Sequence, residues 1–213
     1  GRIPRMSDAT RPEFLTSRYD GAANRWRDKM RALGYYDGYL GFLSARSIDR
    51  SADQSVIDMG CGSAAFAEAW VAVNGPPDQL TLVDPSPGML DRGIAALAAR
   101  DVAARPVEGL LGQVSPASAT TVLAAHIVEH CPEPVEALRQ LGDLLAPGGR
   151  LWLVASKPHW CNAIIWLQWR HRCFRRDEML DLLEQAGFDV EFEYAFPAGP
   201  PSRTSRGYVA RRA

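Results

Sequence analysis

The residues best suited to chemistry lie in a glycine-rich turn with the sequence Asp58-Met59-Gly60-Cys61-Gly62-Ser63-Ala64. The turn follows a short apolar run that predicts a strand, and it opens an alanine-rich stretch that predicts a helix. Glycines at such a turn let the backbone approach a ligand closely, and the start of the helix offers free N–H groups. Asp84 ends the next predicted strand, where a carboxylate can accept both hydroxyls of a ribose. The pattern therefore predicts a site for a cofactor that contains a nucleoside.

Two cofactors fit this turn. Gly60, Gly62 and Ala65 satisfy the loose dinucleotide pattern G-x-G-x-x-G/A, and Asp84 suits the ribose of NAD. Asp58 favours S-adenosylmethionine instead, because a carboxylate beside the loop repels a pyrophosphate and attracts an ammonium group and a sulfonium. A chain of 213 residues is also short for a dehydrogenase with a second catalytic domain. S-adenosylmethionine is therefore the expected cofactor, and an NAD-dependent oxidoreductase remains the alternative.

The elements that must position these residues alternate along the chain. Apolar strands separated by single helices predict a parallel sheet with helices on both faces. The last two predicted strands, near residues 189–196 and 207–211, have no predicted helix between them and should pair as a hairpin. The expected fold class is α/β, a doubly wound, mostly parallel, seven-stranded, Rossmann-like sheet with an antiparallel last strand. Residues 51–213 form its core, and residues 1–50 are predicted to form an N-terminal helical lid that belongs to the same domain.

The sequence resembles the class I methyltransferases over roughly residues 50 to 211. The similar segments follow strands in the order that the family shows, which is more specific than any one motif. The resemblance implies a methyltransferase core that uses S-adenosylmethionine. The matching segments are residues 56–62, 82–90, 127–130, 144–151 and 207–211.

The resemblance also implies which residues line the cofactor. The glycine turn would lie at its methionine end, the acid after the second strand at its ribose, and the residues after the third strand at its adenine ring. Leu110 stands where many relatives carry an acid that bonds the adenine amino group. Ala64 replaces the third glycine of the first motif, a mild change if its φ is negative. The candidate cofactor-binding residues are Tyr19, Asp58, Gly60, Cys61, Gly62, Asp84, Pro85, Met89, Gly109, Leu110 and Ala125.

Two histidines are the catalytic candidates. Methyl transfer from a sulfonium is an in-line displacement, so the protein mainly supplies alignment, and a general base is needed only when the nucleophile must lose a proton. His126 follows the fourth predicted strand and His159 follows the fifth, so both should lie at the edge where the crevice is expected. Either could touch the acceptor or act as the base, or simply bond to backbone or water. His130, in a motif whose histidine is often structural, and His171, among arginines, rank below them.

The acceptor is expected to be a small, hydrophobic or aromatic molecule. An insert near residues 157–175 carries a tryptophan-rich run from Trp160 to Trp169, which suits a helix over an acceptor pocket, completion of the core or a dimer contact. Clusters of arginine leave a lipid or RNA acceptor as an alternative. A non-catalytic cofactor-binding scaffold is a further alternative.

Composition sets limits on partners and compartment. The net charge of −1 gives no general reason to expect a nucleic-acid partner, and DNA is not expected. The four cysteines show no metal or disulfide spacing, so no metal site is expected. Isolated cysteines are typical of a reducing compartment, so a cytoplasmic location is expected. No apolar run approaches the roughly 20 residues that span a bilayer. A monomer or homodimer is expected.

Overall fold

The computed structural model describes residues 34–157 and 173–213. Most of the predicted lid, with Tyr19, and most of the predicted insert, with His159, lie outside the described residues. The strands are β1 (Ser55–Met59), β2 (Gln79–Asp84), β3 (Arg105–Glu108), β4 (Ala119–Ala125), β5 (Leu145–Ser156), β6 (Phe188–Ala195) and β7 (Ser205–Arg212). The helices are α1 (Tyr35–Ser44), α2 (Ala65–Asn74), α3 (Pro87–Ala98), α4 (Pro134–Asp143), α5 (Arg176–Gln185) and α6 (Gly199–Thr204), with short 3-10 turns at Leu111–Gln113 and Val128–His130. None of these described helices is long and apolar enough to span a membrane.

The seven strands form one sheet in the order β3-β2-β1-β4-β5-β7-β6. All pairs from β3 to β5 are parallel, whereas β7 runs antiparallel to both β5 and β6. The predicted fold class is confirmed: a mostly parallel seven-stranded sheet in which the last strand of the sequence is antiparallel. β7, the last strand of the sequence, lies inside the sheet, and β6 forms the edge of the sheet beside it.

Alternation along the strands divides the apolar core between the two faces of the sheet. In β5, Leu151 and Leu153 pack on the face covered by α4 and α5, whereas Trp152 and Val154 pack on the face covered by α1, α2 and α3. Neighbouring residues of a strand point to opposite faces, so a strand covered on both sides needs apolar residues at every position. This explains the uninterrupted apolar run in β5.

A short helix, α6, lies between β6 and β7, where the sequence pattern predicts none. Pro200 and Pro201 stand in its first turn, where proline is tolerated because those N–H groups have no partner within a helix. The helix has only six residues, so it turns the chain without carrying it across the sheet, and β6 and β7 still pair antiparallel.

The glycine pair after α4 lies within a strand instead of in a turn before it. β5 begins at Leu145, which pairs with Ala119, and the register then shifts so that Arg150 pairs with Thr121. Gly148 takes up the shift with a φ of +79°, a conformation that glycine adopts without steric cost. Residues 147–149 are therefore an irregularity inside β5.

The carboxyl ends of the parallel strands meet at one edge of the sheet. β1 lies where the strand order reverses, with β2 on one side and β4 on the other, and ligand crevices of open α/β sheets form at this point. The antiparallel β7 starts at the same edge, where Ser205 stands opposite Ser156 at the end of β5. Residues far apart in the chain are thereby brought together.

Candidate functional site

The glycine-rich turn after β1 has a left-handed backbone. Gly60 and Gly62 have φ values of +65° and +53°, and Ala64, just before α2, has a φ of +67°. The replacement of glycine by Ala64 would be mild only with a negative φ, and the alanine instead adopts a conformation that costs an L-residue about 1 kcal/mol. A Cβ placed on Gly62 would meet no atom within 4 Å, so the space beside this residue is open. The turn leaves its backbone accessible to a ligand at Gly62.

Asp84, at the end of β2, fixes the turn from the neighbouring strand. The N–H of Gly62 donates to Oδ2 of Asp84 at 3.0 Å, and the N–H of Ser86 donates to Oδ1 at 2.9 Å. Burial raises the pKa of this carboxyl, although both backbone hydrogen bonds oppose the rise. Each carboxylate oxygen has a further lone pair. Asp84 therefore holds the turn in place and can still accept hydrogen bonds from a ligand.

Asp58 lies beneath the turn and is only 2% exposed. Its Oδ2 accepts a hydrogen bond from the N–H of Ala67 in α2 at 3.1 Å. Burial raises the pKa of Asp58 to about 8; the Ala67 hydrogen bond opposes this rise and the charge of Asp84 adds to it. The argument that Asp58 repels a pyrophosphate needs the ionised form, which a nearby cation would favour.

The raised pKa of Asp58 should make the stability of the ligand-free protein depend on pH. Its ordinary pKa of 3.8 rises to about 8 in the folded chain, so the folded state holds the proton more tightly than the unfolded state between these values. The free energy of unfolding should therefore fall as pH rises through this range, by up to about 1.4 kcal/mol per pH unit. Urea unfolding at several pH values should show a shallower fall for Asp58→Asn, which cannot ionise.

Asp78→Asn is the matched control for this measurement. Asp78 is a hydrogen-bonded carboxylate at the opposite end of β2, where it accepts the N–H of Gln54 at an exposed site. This variant should keep the wild-type dependence on pH. Equal slopes for wild type and Asp58→Asn would show that Asp58 is ionised in the folded chain at neutral pH.

His126 follows β4 directly, and polar partners hold both nitrogens of its imidazole. Nδ1 lies 2.9 Å from Oε2 of Glu129 and 3.2 Å from Oγ of Ser156, whose hydroxyl also donates to the same glutamate oxygen at 3.1 Å. Nε2 lies 3.3 Å from Oγ of Ser205. The Glu129 side chain is fully buried, whereas that of His126 is 20% exposed. An ionised carboxylate only accepts hydrogen bonds, so opposite an ionised Glu129 the proton would lie on Nδ1 and Nε2 would be the basic nitrogen.

Comparison with solved structures places this fold among methyltransferases. The magnesium protoporphyrin IX methyltransferase of Synechocystis PCC 6803, solved with bound SAH, has a TM-score of 0.72 and 14% identity over 95% of this chain and 99% of its own. The mitomycin 7-O-methyltransferase MmcR has a TM-score of 0.75 and 19% identity over 97% of this chain and 62% of its own. At these identities the likeness concerns the fold.

Sequence comparison extends the likeness from the fold to the family. The ubiquinone biosynthesis O-methyltransferase of Xanthomonas euvesicatoria pv. vesicatoria (strain 85-10) is 29% identical over 150 residues, 64% of this chain. Residues 57–151 match the family described as "Methyltransferase domain", and they include the glycine turn, Asp84 and His126. Residues 57–151, just under half of the chain, are therefore similar to methyltransferase domains. The chain spans 58% of the length of its Xanthomonas relative.

The structure places the remaining predicted cofactor residues that it describes around the same edge. Cys61 is buried, its thiol donates to the carbonyl of Gly62 at 3.3 Å, and burial raises the pKa of that thiol. Met89 is buried in the first turn of α3, Pro85 is exposed before it, and Ala125 is partly exposed at the end of β4. Their contacts with the cofactor stay predictions.

The described residues fit S-adenosylmethionine. Gly62 leaves open space beside the turn, and Asp84 presents a carboxylate with spare lone pairs. The N–H of Gly109 donates to the carbonyl of Asp84 at 3.2 Å, which brings the end of β3 beside this acid. Leu110 follows with 57% of its surface exposed, so an apolar side chain stands where an adenine ring would pack. A ribose requires an acid that accepts from its hydroxyls, the methionine end requires an open backbone, and an adenine ring requires an apolar surface.

Sequence reasoning missed three members of the His126 cluster. Glu129 was identified only as part of a family segment, although its spacing of three residues from His126 places the two on one side of a helical turn. Ser156 and Ser205 carry no local signal, because they reach His126 only through the pairing of β5 with β7.

Proposed function

We propose that this protein transfers a methyl group from S-adenosylmethionine to a hydroxyl of a small, hydrophobic or aromatic molecule, with His126 as the general base. The observation that carries the proposal is the pair of His126 and buried Glu129 at the carboxyl edge of the sheet, 2.9 Å apart. A carboxylate that accepts from Nδ1 fixes the tautomer and leaves Nε2 to take a proton. Amines that carry a lone pair need no such base, whereas a hydroxyl does.

The proposed residues divide the reaction between binding and proton transfer. The bound cofactor supplies a methyl group on a sulfonium, whose carbon–sulfur bond breaks as the new oxygen–carbon bond forms. Nε2 of His126 takes the proton of the acceptor hydroxyl, in place of its long 3.3 Å contact with Ser205. The Glu129 carboxylate stabilises the resulting imidazolium. Asp84 and the Gly60–Gly62 backbone hold the ribose and methionine ends of the cofactor.

The curated relative supports oxygen as the methylated atom. That protein is named as an O-methyltransferase of ubiquinone biosynthesis, and it is 29% identical to this chain over 150 residues. An aromatic wall beside the base supports an aromatic acceptor: the ring of Tyr35 lies edge-on to the imidazole of His126, with 5.6 Å between the ring centroids.

A matched acceptor panel tests the proposal. The purified chain is incubated with S-adenosylmethionine labelled in its methyl group and with phenol, catechol, aniline or thiophenol derivatives that carry the same ring substituents. We expect label on oxygen, because a hydroxyl needs the base that the His126–Glu129 pair supplies. Three outcomes would each contradict the proposal. The first is transfer only to nitrogen or sulfur, and the second is transfer to RNA or anionic lipid at a rate that falls steeply with salt. The third is tight binding of NAD alone. Binding of S-adenosylhomocysteine with no transfer to any acceptor would support the scaffold alternative instead.

A further inference from the structure

Tyr35 connects the first turn of α1 to the far end of the chain. Its hydroxyl lies 2.6 Å from Oγ1 of Thr204, the last residue of α6, across 169 positions of sequence. The Thr204 hydroxyl donates to the carbonyl of Pro200 at 2.9 Å. Since a hydroxyl has one proton to donate, Tyr35 is the donor to Thr204. The bond therefore has a defined direction and fastens α1 to α6.

The ring of Tyr35 stands against the candidate base. The planes of Tyr35 and His126 are inclined at 80°, an edge-to-face arrangement with 5.6 Å between centroids. Tyr39, one helical turn further along α1, is buried, stacks on Phe66 with centroids 4.7 Å apart and lies 6.3 Å from Tyr35. Tyr35 is thus fixed by Tyr39 on one side and by Thr204 on the other, and it limits how far the imidazole can turn.

Contacts on different sides of the imidazole constrain different motions. Glu129 binds Nδ1 and Ser205 binds Nε2 through hydrogen bonds, but a long contact of 3.3 Å constrains the ring weakly. The edge of Tyr35 adds a steric limit that does not depend on protonation. Ser205 is also the neighbour of Thr204 in the chain, and the two hydroxyls are 3.3 Å apart. A shift of Thr204 would therefore move the Ser205 hydroxyl that contacts Nε2.

We propose that Tyr35 is a positioning residue for the base, latched by Thr204, which keeps the His126 ring with Nδ1 on Glu129 and Nε2 as the proton acceptor. The proposal rests on the proposed function for its catalytic consequence. Its structural content, a single imidazole orientation that depends on the Tyr35–Thr204 bond, does not.

Two variants remove the hydrogen bond between Tyr35 and Thr204, here called the latch, with little change in side-chain shape. Tyr35→Phe keeps the ring and loses the hydroxyl, and Thr204→Val keeps the volume and loses the partner. Each should lower kcat for the phenol acceptor about 5- to 50-fold, within the ~100-fold that a 1 Å misplacement of a reacting group can cost. The acid limb of the plot of kcat against pH should move, KM should change little, and the affinity for S-adenosylhomocysteine should stay within about twofold.

Thr204→Ser, which keeps the hydroxyl, should restore the rate. The double variant should be no worse than Thr204→Val alone, because Tyr35→Phe then has no bond left to remove.

The imidazole itself supplies a readout that needs no turnover. Nitrogen NMR of the ligand-free protein should show one tautomer for His126 in wild type and a mixture in Tyr35→Phe and Thr204→Val. Tyr36→Phe is the control, because this neighbouring phenol accepts from Arg100 at an exposed site. Wild-type kcat, pH profile and tautomer in both latch variants would overturn the proposal. Full activity of His126→Asn would instead overturn the proposed base, while the tautomer measurement would still decide on the latch.

Discussion

His126→Asn should lower kcat for methyl transfer to a phenol by roughly 100- to 10,000-fold, the contribution expected of a positioned general base. The dissociation constant of S-adenosylhomocysteine should stay within about twofold. The reason is the division of the site: apart from Ala125 and Tyr19, the candidate cofactor residues lie at or after the ends of β1, β2 and β3, whereas His126 is held by Glu129, Ser156 and Ser205. Removing the imidazole leaves the turn and Asp84 in place.

Asparagine is the right replacement because of the backbone at this position. His126 has a φ of +57°, a left-handed conformation that asparagine adopts more readily than most residues. Alanine would add about 1 kcal/mol of backbone strain to the loss of the base. The asparagine amide can also donate to buried Glu129, so that the carboxylate keeps a partner.

His130→Asn is the control for this variant. His130 is exposed and lies one turn further along the same segment. It should keep nearly full kcat. Single-turnover rates and calorimetry with S-adenosylhomocysteine separate chemistry from binding. A His126→Asn enzyme with wild-type kcat would show that alignment alone drives the reaction.

Asp84→Asn should weaken the binding of S-adenosylhomocysteine about 10- to 150-fold, which corresponds to ~1.5–3 kcal/mol for hydrogen bonds to a charged group. The carboxylate binds two backbone N–H groups, one on each oxygen. An amide replaces one acceptor with a donor, so it loses ligand hydrogen bonds and also opposes one of those N–H groups. Both effects act at the end of β2.

Because Asp84 also fixes the turn, stability must be measured beside affinity. Asp78→Asn makes the same change at the other end of β2, where the carboxylate accepts from Gln54. It should keep wild-type affinity. The thermal midpoint of Asp84→Asn shows how much turn stability is lost, and calorimetry below that midpoint gives the affinity. Unchanged affinity in Asp84→Asn would mean that this acid does not hold the ribose.

The order of strands and the cofactor turn could be predicted because both depend on local sequence. Apolar runs mark the strands, and the spacing of Gly60, Gly62 and Asp84 places them at neighbouring carboxyl ends. The φ of Ala64 could not be predicted, since the fold imposes a conformation that alanine disfavours by itself. The same holds for α6, a helix of six residues with two prolines.

The surroundings of His126 could not be predicted for a different reason. Ser205 and Tyr35 reach the imidazole from 79 residues further along the chain and from α1, respectively. Such meetings depend on which strands become neighbours, and β7 lies between β5 and β6. Among these partners, only Glu129 could be inferred from local spacing, because it lies three residues from His126.

The place of β7 within the sheet also affects the order in which the protein can fold. β6 leaves the ribosome before β7, but β7 is its only neighbour in the described sheet. Until residues 205–212 arrive, β5 has an open edge of unpaired N–H and C=O groups, and the emerging chain is exposed to wrong pairing. Ser205, the first residue of β7, is also the partner of Nε2. Closing the sheet and completing the surroundings of His126 therefore depend on the same segment, residues 205–212.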